Sequence, residues 1–148
     1  MLFNLFSSFL HRAIALCLIL FVIAVTAHAD EPWKGYFHDN AAQATLVMDL
    51  YEESISAPGM DMLGPTNGYL SGAGIYGTWV ITSFKMKDAQ KAFIRLSNDL
   101  GSETQSAELT LQGDTLLLFQ QTGRQLLRKA EGRKLVKVAS QFEMRRRK

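Results

Sequence analysis

The sequence predicts an all-β protein, a small antiparallel meander that closes or nearly closes into a barrel of about seven to nine short strands. Turn glycines recur at positions 113, 123 and 132, a spacing typical of short strands joined by tight turns. Apolar and polar residues alternate in the segments between these glycines, as in a half-buried sheet. The segment GTWVITSFKM, residues 77–86, is rich in the β-branched and aromatic residues that favour strands.

A cleaved secretory signal peptide is predicted over residues 1–29. His11 and Arg12 precede the apolar run AIALCLILFVIAVT, and Ala-His-Ala at 27–29 forms a cleavage site of small residues. The run is shorter than the roughly 20 residues of a membrane-spanning helix. The sequence therefore predicts an exported protein, periplasmic or secreted. Cys17 would leave with the signal, and the absence of disulfides and glycosylation sites favours a bacterial envelope.

The mature chain is predicted to form one domain, residues 30–142, followed by a basic tail, residues 143–148. Residues 30–121 hold 5 Lys and Arg against 12 Asp and Glu, whereas residues 122–148 hold 10 against 2. The tail is a candidate contact for an anionic membrane surface, and the alternative is a solvated, disordered terminus. Nucleic acid is not an expected partner. The candidate contact residues are Arg145, Arg146, Arg147 and Lys148.

Residues 44–54 fit two kinds of secondary structure. Leu46, Met48 and Leu50 alternate with other residues as in a strand, whereas the same segment also fits one face of a helix when Val47 is included. We favour the strand because the rest of the chain is β-forming. The segment SAPGMDMLGPTNG that follows is predicted to be a loop, because Pro and Gly punctuate it.

The segment GYLSGAGIYGTW, Gly68–Trp79, combines four glycines with bulky aromatic residues. Glycines in a curled sheet allow bulges, sharp bends and close approach of two backbones, so the segment is predicted to be a barrel strand bent around its own aromatics. The functional interpretation is that the glycines clear space for a small apolar ligand or a protein partner. The candidate binding residues are Tyr69, Ser71, Gly72, Gly74, Tyr76 and Trp79.

A hairpin with a two-residue loop is predicted at Gly113-Asp114, since glycine in the first loop position suits a type II′ turn. This loop pairs Gln112 with Thr115. One face of the hairpin is then apolar and points inward: Ala107, Leu109, Leu111, Leu116 and Leu118. The other face carries Glu108, Thr110, Leu117 and Phe119. The segment KAFIRLSN behaves in the same way, with Ala92, Ile94 and Leu96 inside.

The same register can be extended through further turns at Thr122-Gly123 and Glu131-Gly132. This extension places Leu127 and Val136 inside the sheet. It places apolar and basic residues together outside, beside Leu117 and Phe119: Leu126, Arg128, Leu135 and Lys137. Such a mixed outer face would suit a partner, while a one-residue bulge would instead change the parity of the strand.

Few residues of the mature chain offer catalytic chemistry. His38 is its single histidine and it has no cysteine, so neither a catalytic triad nor a transition-metal site is supported. His38 is expected on a surface or in a loop. Gly72, Gly74 and Gly77 match the spacing of a dinucleotide-binding loop, but no βαβ unit surrounds them. We therefore expect no enzymatic activity, no cofactor and no metal.

The stretch LSGAGIYG resembles the Ser-Gly-Ala-x-Tyr loop of the bacterial periplasmic inhibitors of C-type lysozyme. Those proteins are small exported β-barrels that insert this loop into the lysozyme active site. The resemblance implies Ser71 and Tyr76 as contact residues. It covers about six residues, with one extra residue between Ala73 and Tyr76, without the family's cysteines and with a much longer chain after the motif.

The sequence thus predicts an exported, non-enzymatic binding module of the bacterial envelope. It would hold a small apolar ligand or a protein partner through the Gly/Tyr/Trp-rich strand. The alternative is a structural or protein-interaction protein of the envelope that uses the mixed apolar-basic outer face and the basic tail. A lysozyme-inhibitor-like protein is a minor alternative.

Overall fold

The structure, a computed structural model, describes residues 30–99, 101–120 and 125–148. Their regular secondary structure is almost entirely β, and eight of their strands form a closed antiparallel barrel, as predicted. The predicted signal peptide and the turn at Thr122-Gly123 lie outside the described residues. No helix within the described ranges is long and apolar enough to cross a membrane.

Ten strands are described in chain order. They are β1 (Lys34–Asp39), β2 (Ala44–Asp49), β3 (Gly68–Ser71), β4 (Trp79–Met86), β5 (Lys91–Asn98), β6 (Thr104–Gln112), β7 (Thr115–Gln120), β8 (Arg128–Glu131), β9 (Lys134–Lys137) and β10 (Gln141–Arg147). Around the barrel the order is β1-β10-β7-β6-β5-β4-β3-β2. Consecutive strands from β1 to β7 are therefore neighbours, which is the predicted meander, and β10 closes the barrel between β7 and β1.

The predictions for single segments and for the hairpin between two consecutive strands are confirmed. Residues 44–49 form a strand rather than a helix. Gln112 pairs with Thr115 and Leu111 with Leu116, as the hairpin register requires. Gly113 has a φ of 60° while Asp114 has no positive φ, which matches a type II′ turn. The loop before β3 contains only a single 3₁₀ turn, Asp61–Leu63, and an isolated bridge.

The barrel interior is filled by apolar side chains from all eight strands. An eight-stranded barrel is just wide enough for its own side chains to fill it or for one small ligand to bind inside. The inward residues predicted for β5, β6 and β7 are all buried. Fully buried side chains of the interior include Phe37, Leu46, Met48, Leu70, Leu96, Leu109, Leu118, Phe142 and Met144.

The predicted continuation of the meander through β8 and β9 is wrong. The strand that pairs with β7 is β10, and β8 and β9 form a separate two-stranded sheet. Their turn is centred on Gly132 and Arg133, because Glu131 pairs with Lys134. Leu127 is buried as expected, whereas Val136 is only half-buried. The predicted outer face therefore does not continue from β7 into these strands.

The predicted basic tail also needs correction, because residues 143–147 belong to barrel strand β10. This strand pairs with β7 along one edge and with β1 along the other. Phe142 and Met144 of β10 are fully buried in the core. The boundary predicted between the domain and the tail thus falls inside a strand, and Lys148 alone follows it.

Two buried glutamines connect one end of the barrel to the chain around β8 and β9. Gln105 accepts a hydrogen bond from the main-chain N–H of Leu126 through its Oε1 (2.7 Å). Gln120 donates to the main-chain oxygen of Ala139 (2.7 Å). These contacts hold the segment across the barrel end, where Leu127 completes the core. Buried side-chain amides need such partners because an unsatisfied polar group costs free energy.

Candidate functional site

The glycine-rich segment that we predicted as a binding strand packs mainly against the backbone of its own barrel. β3 ends at Ser71, and the chain then turns through residues 72–78 before β4 begins. A Cβ atom added at Gly72 would overlap the main-chain oxygen of Gln43, and one added at Gly74 would overlap that of Ala42. Gly74 itself donates a hydrogen bond to the Gln43 oxygen (2.9 Å). The space left by these two glycines is therefore occupied by main chain.

The aromatic residues of this segment point in different directions. Trp79 is buried in the core and donates its indole N–H to the Tyr76 oxygen (3.1 Å). Tyr69 and Ser71 are half-buried on β3, and the Tyr76 side chain is 57% exposed. The main-chain N–H of Tyr76 donates to the Arg128 oxygen (2.6 Å), which ties the turn to β8. The structure thus separates the candidate binding residues between the core, the barrel wall and an exposed turn.

The basic residues of β10 also have separate environments. Arg146 lies over the Phe37 ring, with 4.6 Å from its Cζ atom to the ring centroid. It donates to the main-chain oxygens of Lys34 (2.6 Å) and Pro32 (2.7 Å), and its Nε lies 3.2 Å from Asp114 Oδ1. Arg146 is therefore a structural residue that closes one end of the barrel.

Arg145 and Arg147 lie on the outer surface, beside a polar depression of about 650 Å³. Arg147 donates to the Asn40 side chain (2.7 Å), and Arg145 lies 3.6 Å from Glu143. His38 lies on the adjacent strand β1, and its Nδ1 is 2.8 Å from Thr45 Oγ1. His38 thus lies half-buried on the outer surface of a strand, which agrees with the surface position predicted and not with a loop. Lys148 is exposed beyond the strand.

A second aromatic surface, which the sequence reasoning identified only through Phe119, covers the outside of β4–β7. The strand registers place Lys85, Phe93, Glu108 and Phe119 in one row across four strands. Ser83, Arg95 and Ser106 form the neighbouring row. We call these seven outward residues the aromatic face. Alternation in KAFIRLSN indicated the outward direction of Phe93, but only the strand order shows that it lies two strands from Phe119.

The aromatic face contains a groove of about 450 Å³. This volume lies within the range of small-molecule and side-chain binding pockets. Phe93 and Phe119 stand on its two sides and are 41% and 39% exposed. Exposed aromatic side chains that line a concave surface are typical of interaction sites. The groove therefore offers an apolar contact area on the outside of a filled barrel.

The charge around this groove is mainly positive. Glu108 is paired with Lys91, with 3.2 Å between Lys91 Nζ and Glu108 Oε1. Lys87 lies 5.6 Å from the centroid of the Phe93 ring, in a cation–π contact. Lys85 and Arg95 are exposed and make no ion pair with a described residue. The groove therefore suits an apolar group that carries negative charge.

Asp49 is a buried carboxylate whose surroundings indicate a structural role rather than a catalytic one. Burial alone would raise its pKa, but hydrogen bonds from Ser54 (2.7 Å) and Lys34 (3.1 Å) hold the pKa below its ordinary value of 3.8. The main-chain N–H groups of Tyr51 and Glu52 donate to the same carboxylate. Asp49 thus fixes the turn after β2.

Comparison with known proteins found no matching family, no matching curated protein and no matching solved structure. Within the described ranges, His, Cys, Asp and Glu side chains form no group of three that could hold a metal ion. The aromatic face and the glycine-rich segment are therefore the features of the molecule that bear on its function.

Proposed function

We propose that this chain is an exported, non-enzymatic binding module of the bacterial envelope that meets a protein partner through its aromatic face. The groove between Phe93 and Phe119 carries this proposal. It joins the exposed aromatic rings with Arg95, and aromatic residues and arginine are both enriched at protein interfaces.

The filling of the barrel favours a partner outside rather than a ligand inside. Trp79, the largest side chain of the glycine-rich segment, is 2% exposed and belongs to the core. Gly72 and Gly74 accommodate main chain. The proposal therefore moves the binding site from the Gly/Tyr/Trp-rich strand to an outer sheet face that shares Phe119 with the mixed apolar-basic face predicted from the sequence.

The composition of the mature chain supports a non-enzymatic role. Its single histidine, His38, lines a different depression from the groove, and its Nδ1 lies within hydrogen-bond distance of Thr45 Oγ1. The most buried carboxylate, Asp49, is held ionised by four donors. Export is supported by the charged start, apolar run and small-residue cleavage site of residues 1–29.

Site-specific photo-cross-linking in native cells tests the proposed face. A photoreactive phenylalanine analogue placed at Phe119 should cross-link to a discrete partner, and substitution Phe93→Ala should abolish that product. The same analogue at Tyr76 is the matched control, because Tyr76 is also exposed but lies in the glycine-rich turn. A product at Tyr76 and none at Phe119 would return the site to the Gly/Tyr/Trp-rich segment.

A further inference from the structure

Within the part of the chain that the structure describes, the second half of β4 has a neighbouring strand on one side only. β3 pairs with β4 only through Tyr69 with Val80 and Leu70 with Trp79. The register with β5 shifts at Thr82, and from Ser83 to Met86 β4 pairs only with β5 among the described residues. All five residues from Thr82 to Met86 are exposed, whereas Trp79–Ile81 are buried. We call Thr82–Met86 the β4 edge.

The direction of the main-chain groups along this edge follows from the turn that ends β4. The N–H of Lys87 donates to the Lys91 oxygen (2.9 Å). Main-chain groups alternate between the two sides of a strand, so Lys85 also turns its N–H and C=O towards β5. Phe84 and Met86 then turn their N–H and C=O groups to the side away from β5, and no described strand lies on that side. An unpaired row of donors and acceptors is a template for an added strand.

Along the β4 edge, apolar side chains on one face alternate with a positively charged side chain on the other. Phe84 and Met86 pair with the inward residues Ile94 and Ala92, so their side chains point to the same side of the sheet. They are nevertheless 38% and 40% exposed, because they project beyond the end of β3. Lys85 points to the opposite side and stands at the border of the aromatic face. A strand beside this edge would therefore meet apolar groups on one face and positive charge on the other.

We infer that the β4 edge accepts an extended segment of a partner protein whose residues alternate between apolar and acidic. Its main chain would bond to Phe84 and Met86, its apolar side chains would contact those two residues, and its acidic side chains would face Lys85. This is strand addition, in which main-chain bonds give affinity and alternate side chains give specificity. The inference rests on the proposed function, since the added segment would continue the rows of the aromatic face.

Charge distinguishes this occupant from a second copy of the same chain. An antiparallel pairing of two β4 edges would bring together two sets of the same cations, Lys85 and Lys87, while the neighbouring carboxylate of Asp88 already accepts hydrogen bonds from the N–H groups of Gln90 and Lys91. Like charges on adjacent strands are destabilising. An acidic partner segment supplies the opposite charge.

The test uses the purified protein and two capped nine-residue peptides, one alternating glutamate with valine and one alternating lysine with valine. The glutamate peptide should bind, and the lysine peptide should not. On binding, hydrogen exchange at the Phe84 and Met86 amides should slow by roughly tenfold or more, because each gains an acceptor. The Lys85 amide, which already faces β5, should not change. Equal protection of all three amides, or of none, would overturn strand addition.

Two variants of Phe84 separate the contribution of its main-chain N–H to binding from that of its side chain. Phe84→Ala removes the ring but keeps the N–H, whereas Phe84→Pro removes both. Proline is tolerated at an edge position whose N–H faces away from the ladder. Phe84→Pro should bind the glutamate peptide about tenfold more weakly than Phe84→Ala. Equal affinities would overturn the inference, and should Phe84→Pro not fold, the exchange pattern of the unaltered protein decides.

Charge reversal and the aromatic variants complete the test. Lys85→Glu should weaken binding of the glutamate peptide and allow binding of the lysine peptide. A peptide that binds equally to both Phe84 variants but is lost in Phe93→Ala lies across the aromatic face, which overturns strand addition while the proposed function stands. Self-association through β4, detected by sedimentation and abolished in Phe84→Pro, would assign the edge to a second copy and overturn the inference.

Discussion

β10 and the second half of β4 differ in whether a partner could reach them, and in both cases the amino-acid composition suggests the opposite of what the structure has. β10 ends in three consecutive arginines and was expected to leave the domain, yet it is paired on both sides and buries Phe142 and Met144. The β4 edge belongs to the most strongly β-forming stretch of the chain, yet it is paired on one side and exposed along its length. The number of neighbouring strands, rather than the composition, therefore decides whether a segment is available to a partner.

Deletion of residues 145–148 should have the largest effect. It removes all three registered pairs between β10 and β1, Tyr36 with Arg147, Phe37 with Arg146 and His38 with Arg145, and so opens the barrel. We expect loss of the cooperative thermal transition measured by circular dichroism. Deletion of Lys148 alone is the control and should leave the transition unchanged, because Lys148 follows the strand. A folded truncated protein would show that β10 is a separable tail after all.

Alanine substitutions in the two halves of β4 test the comparison within one strand. Trp79→Ala should lower the free energy of unfolding by about 3–5 kcal/mol, because a fully packed aromatic side chain leaves a cavity. Phe84→Ala should lower it by less than about 1 kcal/mol, since the Phe84 side chain is exposed at an edge. Urea denaturation measures both values. Similar losses would indicate that the β4 edge is covered in solution.

Gly74→Val tests whether the glycine-rich segment packs against main chain. The added side chain would overlap the Ala42 oxygen, so we expect a loss of about 1–3 kcal/mol or more in the free energy of unfolding. The reason is contact with backbone and not a left-handed conformation, because Gly74 does not have a positive φ. Gly59→Ala is the comparison for a purely conformational cost, because open space surrounds the added atom but a φ of 74° is unfavourable for alanine, so we expect a smaller loss there. An unchanged melting temperature for Gly74→Val would contradict the close approach.

Two arginines of β10 that are adjacent in sequence should differ in their contribution to stability. Arg146→Met removes hydrogen bonds to Pro32 and Lys34 and should cost about 1.5–3 kcal/mol, the range for charged hydrogen bonds. Arg145→Met should change the free energy of unfolding by less than about 0.5 kcal/mol, because the side chain is exposed. Chemical denaturation measures the difference. Equal effects would mean that the whole end of β10 behaves as a surface strand.

Asp49, at the end of β2, should give the smallest effect, seen as a dependence of stability on pH. Its pKa is lowered in the folded protein, so its contribution is complete above the ordinary value of 3.8 and is lost as the pH falls below that value. The variant Asp49→Asn should show a flatter decline of melting temperature below pH 3.8 than the unaltered protein. Parallel declines would assign the acid sensitivity to other carboxylates.

The sequence by itself determined the features that depend on contacts between near neighbours. Gly113 permits the positive φ that a two-residue turn needs, and the alternation on either side then fixes which residues of β6 and β7 point inward. For residues 44–54 the sequence favours a strand but also fits a helix, and it predicts seven to nine strands that close or nearly close into a barrel. The tertiary structure decides both points, with a strand at residues 44–49 and eight strands closed around one core.

Only the tertiary structure decided which distant segments meet. The alternation in β7 fits β8 as well as β10, and the choice of β10 depends on Phe142, Met144 and the contacts of Arg146 with the far end of the chain. The position of Phe93 two strands from Phe119, and the edge left by the short β3, depend on how β3 to β7 pair with one another. A strand's own residues specify its two faces, but its edges are specified by the neighbours that the whole fold provides.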